Sequence, residues 1–185
     1  ELSLLSDEFL DSVAHSTTPN LQLGLLRRLL GDQIRTVSRK NLVKGRKFSE
    51  MLNDALTRYT NRSLTTAEII AELVSLAKEM RADKERAQQL GLSEAEIALY
   101  DAIIQNDSAI LEMGDETLKT IARELVATIR SSATLDWTLK ESVRARMRSR
   151  IKRLLAKYKY PPDKREQAVQ LVIEQAEHLA TGEQD

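Results

Sequence analysis

The sequence has no cysteine, only two histidines and few aromatic residues. Of its 185 residues, six are glycine, three are proline and 4% are aromatic. The absence of cysteine excludes disulfides and thiolate metal sites and is typical of a reducing cytosol. His15 and His178 are far apart in the sequence, so we do not expect a histidine metal site. The scarcity of aromatic strand formers, together with abundant helix formers, predicts an all-α fold.

Long apolar runs are also missing. No run approaches the roughly 18 residues that span a bilayer, and the first residues lack a secretory signal pattern. We therefore expect a cytoplasmic protein with no membrane partner. Because the chain begins with Glu1 rather than methionine, we interpret its start as a boundary cut from a longer protein.

Sequence patterns for catalysis are absent as well. A phosphate-binding loop needs a Gly-Lys pair, and the sequence contains none. Metal-dependent nucleases of the PD-(D/E)xK type need an acid two residues before a lysine, which occurs nowhere. The acidic pair Asp115-Glu116 is better explained as negative charge in a first helical turn. We therefore predict no catalytic, cofactor-binding or metal site in this chain.

The charges are balanced in number but not in position. The chain has 28 basic and 28 acidic residues. Residues 27–47 hold eight basic residues against one acid, and residues 140–159 hold nine against one. Two such segments are suited to phosphates or to an acidic protein surface.

The apolar periodicity predicts helices separated by recognisable signals. A short helix spans Asp7 to Ala14, and a long helical region begins at Asn20 with a break near Gly45. Capping-box patterns then predict four helix starts: Thr65 with Glu68, Ser93 with Glu96, Thr138 with Glu141, and Asp163 with Glu166. Pro161-Pro162 separates the last two helices. The predicted organisation is a long helical arm and connector over residues 1–64, followed by a compact multi-helix bundle over residues 65–185.

The basic helix from Trp137 to about Tyr160 is the most informative segment. The helical repeat places Arg150 within the apolar stripe of this helix. An arginine buried there needs a partner for its charge. Arg144, Arg148, Lys152 and Lys159 are predicted to form an exposed contact face, and Trp137 is a candidate interface anchor. Three interpretations remain open for the basic charge: pairing with acids of the same fold, contact with an acidic partner protein, and direct contact with phosphates.

Several short runs, taken in order, carry a family resemblance. They include Lys40-Asn-Leu-Val-Lys-Gly-Arg-Lys-Phe-Ser-Glu-Met-Leu52, Arg58-Tyr-Thr-Asn-Arg62, Leu135-Asp-Trp-Thr138 and Lys157-Tyr-Lys-Tyr-Pro-Pro-Asp-Lys164. Their order and spacing, from about residue 23 onward, resemble the C-terminal region of the motor (R) subunit of type I restriction endonucleases. Lys159 stands where that family commonly has glycine, so we expect the helix before Pro161 to continue further than usual.

The resemblance implies a part of a larger machine. In that family a nuclease domain and two RecA-like motor domains precede this region. The whole subunit, with ATP and Mg²⁺, translocates and cleaves duplex DNA as an ATP-dependent site-specific deoxyribonuclease. The C-terminal part is implied to dock that motor onto the methyltransferase core of M and S (specificity) subunits. No catalytic residue carries over to this chain, which is expected to be non-catalytic itself.

Two alternatives to docking stay open at this point. In the first alternative, the chain binds duplex DNA directly through residues 27–47 and 140–159. In the second, the chain is a structural brace against the rest of its own R subunit.

Overall fold

A computed structural model describes residues 6–132 and 141–182. Over these residues the chain forms nine α-helices and no β-strand, which confirms the all-α prediction. The helices are α1 Asp7–Ala14, α2 Pro19–Lys40, α3 Leu42–Thr60, α4 Thr66–Gln89, α5 Glu94–Ile103, α6 Asp107–Met113, α7 Asp115–Ser132, α8 Glu141–Lys157 and α9 Arg165–Gly182. A short 3-10 helix, Pro162–Lys164, precedes α9.

The chain divides into two compact units. The N-terminal unit comprises Glu1–Ser38 and Gly45–Leu90, and the C-terminal unit comprises Arg39–Lys44 and Gly91–Asp185. The junction between α2 and α3 is thus part of the C-terminal unit, and α4 is part of the N-terminal unit. The predicted domain boundary between residues 64 and 65 stays a prediction.

The N-terminal unit is built around one apolar core. Leu10 of α1, Leu30 of α2, Phe48 of α3 and Leu73 of α4 are all buried in it. The helices α1–α3, which the sequence predicted as an arm, therefore pack with α4 around shared apolar side chains. Their buried residues recur every three or four positions, so each helix presents one apolar stripe to this core.

The C-terminal unit has a separate core, formed mainly by α5, α7, α8 and α9. Ile103, Leu125, Ile151 and Val172 are among its buried members. Tyr160, after α8, is also fully buried, and its hydroxyl donates a hydrogen bond to the carbonyl oxygen of Ile103 at 2.6 Å. This packing holds α8 in a defined position in the C-terminal unit. Helix α8 carries the basic residues that the sequence analysis identified.

The predicted helix starts are confirmed in two cases. Thr65 and Ser93 form complete capping boxes with Glu68 and Glu96. The predicted start at Asp163 was wrong, because Asp163 lies inside the 3-10 helix and α9 begins at Arg165. Thr138 lies outside the described residues. The Asn106 side chain caps the short helix α6 by accepting from the Ser108 amide at 3.1 Å.

The break between α2 and α3 lies at Asn41, so its prediction near Gly45 was four residues too late. The Asn41 side-chain oxygen accepts a hydrogen bond from the Lys44 amide at 3.0 Å, which caps the first turn of α3. Gly45 lies within helix α3. Its lack of a side chain allows α3 to pack closely against Ser38 of α2. A Cβ there would lie 2.8 Å from the Ser38 Cα.

Candidate functional site

Helix α8 is held in the C-terminal unit by its apolar face. Met147, Ile151 and Leu155 are buried at intervals of four residues. This spacing places them on one side of the helix, and the basic residues occupy the rest of its circumference. The orientation of α8 therefore determines which basic side chains contact other helices of the C-terminal unit and which are exposed to solvent.

The predicted contact residues of α8 lie along α9. Arg144 Nε lies 2.7 Å from Glu177 Oε1, and Lys152 Nζ lies 2.8 Å from Glu166 Oε1. Between them, Arg148 donates a hydrogen bond to the Gln170 side-chain oxygen at 2.9 Å. The hydrogen bond from Lys152 lowers the pKa of Glu166. This arrangement matches the first interpretation, in which the basic charge is paired within the fold.

Lys159, another predicted contact residue, does not extend this row. Lys159 is exposed and has a φ of 57°, a left-handed conformation usually taken by glycine. The Lys159 and Tyr160 amides donate to the Ala156 and Leu155 carbonyl oxygens, which closes the end of α8. The expectation that Lys159 prolongs the helix was wrong, because lysine adopts the same terminating conformation as glycine here. Trp137 lies outside the described residues.

The opposite flank of α8 faces α7. Glu124 of α7 accepts a short hydrogen bond from the Tyr158 hydroxyl and lies 3.6 Å from Lys157 Nζ. That hydrogen bond is the main reason why the pKa of Tyr158 is raised. Neighbouring helices thus meet basic or aromatic groups on both flanks of α8.

The outer edge of α8, opposite its buried residues, keeps exposed basic side chains. Arg146 and Arg153 are exposed, and neither contacts a charged or polar partner among the described residues. Arg150, predicted to sit within the apolar stripe, is also exposed. The remaining outer positions are small and exposed: Ser142, Ala145, Ser149 and Ala156.

Several basic side chains of the segment 27–47 form ion pairs with acidic side chains of the same compact unit. Arg35 pairs with Asp32, and Lys47 Nζ lies 3.2 Å from Glu79 Oε1. Lys44 Nζ lies 3.4 Å from Asp101 Oδ2, with only 16% and 11% of these side chains exposed. This segment is therefore less available to a partner than its composition predicts.

A buried polar cluster surrounds residues 39–44, which we call the junction segment. Asn41 donates a hydrogen bond to Asp101 Oδ2 at 2.6 Å. The fully buried side chain of Gln175 accepts from the Leu42 amide at 2.7 Å and donates to the Lys40 carbonyl oxygen at 3.2 Å. Sequence reasoning missed this cluster. Its signal was that Gln175 follows Val172 by three residues and thus shares that apolar helix face.

Apolar side chains are exposed at two places. Leu21 of α2 is 71% exposed, and Leu25 lies one helical turn further at 41%. On α6, Ile110 and Leu111 are 48% and 85% exposed. Exposed leucines in pairs are typical of surfaces that pack against another protein.

Two features bear on ligand binding in the described part of the chain: the placement of its acidic and histidine side chains, and a small cavity. In residues 6–132 and 141–182, no three His, Asp or Glu side chains are grouped so as to hold a metal ion. A cavity of about 30 Å³ beside Asn106 and Tyr160 has room for water molecules only. Nor does any helix in this part of the chain have the length and apolarity needed to cross a membrane.

The contact between Tyr100 of α5 and Asp115 of α7 makes stability pH-dependent. The Tyr100 hydroxyl donates to Asp115 Oδ1 at 2.5 Å, and this bond, with Lys119, lowers the pKa of Asp115 from 3.8. A lowered carboxyl pKa contributes stability that is present above pH 3.8 and is lost as the pH falls through the folded-state pKa. Burial, followed by the Asp115 contact, raises the pKa of Tyr100 above 10.0. Its contribution is present below pH 10 and is lost as the pH rises further.

Tyr100→Phe is therefore expected to flatten the loss of stability on both sides, below pH 4 and above pH 10. The measurement is the urea midpoint as a function of pH for the wild type and the variant. Tyr59→Phe is the control, because the Tyr59 hydroxyl lies 3.3 Å from the uncharged Thr66 hydroxyl. Parallel pH profiles for wild type and Tyr100→Phe would contradict this assignment.

These features define a helical domain whose described surface offers charged and apolar contacts. The chain belongs to the family described as type I restriction enzyme HindI endonuclease subunit-like, C-terminal, whose model matches residues 1–182. This membership confirms the resemblance to the C-terminal region of R subunits.

Two curated relatives agree with the family. The chain is 44% identical over 180 residues to the type I restriction enzyme HindI endonuclease subunit of Haemophilus influenzae, covering 97% of this chain and 17% of that protein. It is 37% identical over 160 residues to the putative type I restriction enzyme MjaIXP endonuclease subunit of Methanocaldococcus jannaschii, covering 85% and 15%. The chain thus spans about a sixth of each relative's length. No solved structure matches it.

Proposed function

We propose that this chain is the assembly module of a type I restriction enzyme R subunit. It docks the ATP-dependent DNA translocase and endonuclease onto the methyltransferase core of M and S subunits. ATP and Mg²⁺ act in the rest of the subunit, and the complex works in the cytoplasm. Family membership supports the restriction enzyme context, and the exposed apolar face of α2 supports docking to a protein.

The observation that carries docking is the pair Leu21 and Leu25. Both side chains are exposed, one turn apart, on the outer face of α2. Between them, Gly24 has no atom within 4 Å of the position of a Cβ, so the backbone surface is open for close approach. Apolar anchors that lose contact with water at an interface supply much of its binding energy.

The basic residues predicted from the sequence have a secondary place in this proposal. Arg144, Arg148 and Lys152 stay candidate contacts, but partners on α9 already engage their polar groups. A partner that binds them has to compete with those contacts. Lys159 and Trp137 also remain candidates.

The test is a pull-down of this chain by the purified methyltransferase core, after nuclease treatment. Leu21→Ser with Leu25→Ser is expected to weaken binding about tenfold or more, since two apolar anchors are lost. The matched control is Asp32→Ser with Arg35→Ser, which alters an exposed pair on the same helix without changing net charge. No binding by the wild type would contradict the docking proposal, and wild-type binding by the leucine variant would show that α2 is not the docking face.

A second variant tests the face predicted from the sequence. Changing Arg144, Arg148 and Lys152 together to glutamate also breaks the contacts to α9, so circular dichroism must first show a folded chain. Loss of binding by this folded variant, with binding intact in the leucine variant, moves the docking face from α2 to α8.

A further inference from the structure

We propose that the outer edge of α8 binds the phosphates of duplex nucleic acid, in addition to the docking role. The surface consists of Arg146 and Arg153, and we call it the basic ridge. This inference does not depend on docking, because it uses a different helix and a different chemistry.

The basic ridge is separate from the basic residues that α9 engages. Arg144 and Lys152 are within reach of α9 carboxylates, at 2.7 and 2.8 Å. Arg146 and Arg153 are exposed and have no polar partner among the described residues. Arg144 and Lys152 are therefore paired with carboxylates of α9, whereas Arg146 and Arg153 have no such pairing among the described residues.

The spacing of the ridge suits a row of phosphates. Arg146 and Arg153 are seven residues, or about 10 Å, apart along the helix axis. A duplex carries one phosphate per roughly 3.4 Å of axis on each strand, so this length spans about three phosphates. Guanidinium groups donate paired hydrogen bonds that match phosphate oxygens.

The residues beside the ridge favour a duplex over the other acidic ligands. Ser142, Ala145, Ser149 and Ala156 are small, so the helix approaches a groove or backbone closely. No large apolar side chain stands among these outer residues, whereas a protein interface uses apolar or aromatic anchors. No aromatic ring stands there either, and single strands bind largely by stacking bases on such rings.

The experiment measures binding of the chain to a fluorescent 30-base-pair duplex of arbitrary sequence by anisotropy, over a series of salt concentrations. The test variant is Arg146→Gln with Arg153→Gln. The matched control is Arg144→Gln with Lys152→Gln, which removes the same charge from the same helix on the side facing α9. Circular dichroism confirms that both variants are folded.

The ridge variant is expected to bind the duplex on the order of 50-fold more weakly at 0.1 M salt. The slope of log affinity against log salt should become shallower by about 2, because two phosphate contacts are lost. The control variant should stay within about threefold of wild type, since its cations are already paired.

Three results would overturn the proposal. The first is no duplex binding by the wild type. The second is an equal loss in the control variant, which would mean that net charge alone attracts the duplex. The third is tighter binding to polyglutamate than to the duplex, with that binding lost in the ridge variant, because the ridge would then serve an acidic protein. None of these outcomes affects the docking test, which is done after nuclease treatment and with variants of α2.

Discussion

Asp101→Ala is expected to lower the free energy of unfolding by about 3 kcal/mol, since removing one partner of a buried ion pair is strongly destabilising. The Asp101 carboxylate accepts from Asn41 at 2.6 Å and lies 3.4 Å from Lys44 Nζ. Both partners belong to the junction segment, and little of either side chain in the ion pair is exposed. Without Asp101, the Lys44 ammonium and the Asn41 amide lose an acceptor in a place that water reaches poorly. Urea denaturation followed by circular dichroism measures the change.

Glu94→Ala provides the matched control for this prediction. Glu94 also pairs with a lysine of the junction segment, Lys40, at 2.8 Å, but 62% of Lys40 and 72% of Glu94 are exposed. Exposed pairs are screened by solvent and contribute about 0.5 kcal/mol or less. If the two alanine variants lose the same stability, burial of the Asp101 cluster is not what makes it important.

Gly45→Ala is expected to destabilise the chain by about 2 kcal/mol, although alanine is the better helix former by about 1 kcal/mol. A Cβ at position 45 would meet Ser38 Oγ at 2.2 Å and Ser38 Cα at 2.8 Å. The serine hydroxyl could rotate, but it already donates to the Ile34 carbonyl oxygen, and the Cα cannot move without the backbone of α2. The first turn of α3 and the last turns of α2 have to separate to admit the methyl group.

Gly31→Ala is expected to have the opposite sign. Gly31 lies within α2 and has no atom within 4 Å of the position of a Cβ. The new methyl group therefore meets no obstacle, and the helix gains about 1 kcal/mol from the lower flexibility of alanine in the unfolded chain. Thermal denaturation of the two variants side by side checks the pair of predictions. Destabilisation by Gly31→Ala, or none by Gly45→Ala, would contradict this account of the two glycines.

Local signals explain which parts of the fold were predictable. The helix starts at Thr65 and Ser93 were predicted because a capping box is formed by residues only three positions apart. The same reasoning failed at Asp163, because Pro161-Pro162 produces a 3-10 turn before the α-helix begins. The predicted helix break near Gly45 failed for a different reason. That glycine allows close contact with Ser38 and does not mark a helix break.

The surface of α8 shows the limit of sequence reasoning for a site. Periodicity separates the buried Met147 and Ile151 from basic positions, because that distinction needs only the helical repeat. It does not show which basic residues meet α9. Acids more than a dozen positions away pair with Arg144 and Lys152, two of the predicted contact residues. Distinguishing those residues from Arg146 and Arg153 requires the position of α9.

The junction segment also has a consequence for how the chain is made. The hydrogen bonds of Gln175 join it to Lys40 and Leu42, which are 135 and 133 residues earlier. At a ribosomal rate of about 5–20 residues per second, Gln175 is synthesised on the order of ten seconds after Lys40 and Leu42. Contacts over such a separation slow folding, because a long loop must close before they form. The C-terminal unit therefore reaches its native hydrogen bonding only once α9 has left the ribosome, whereas the N-terminal helices can begin to pack long before.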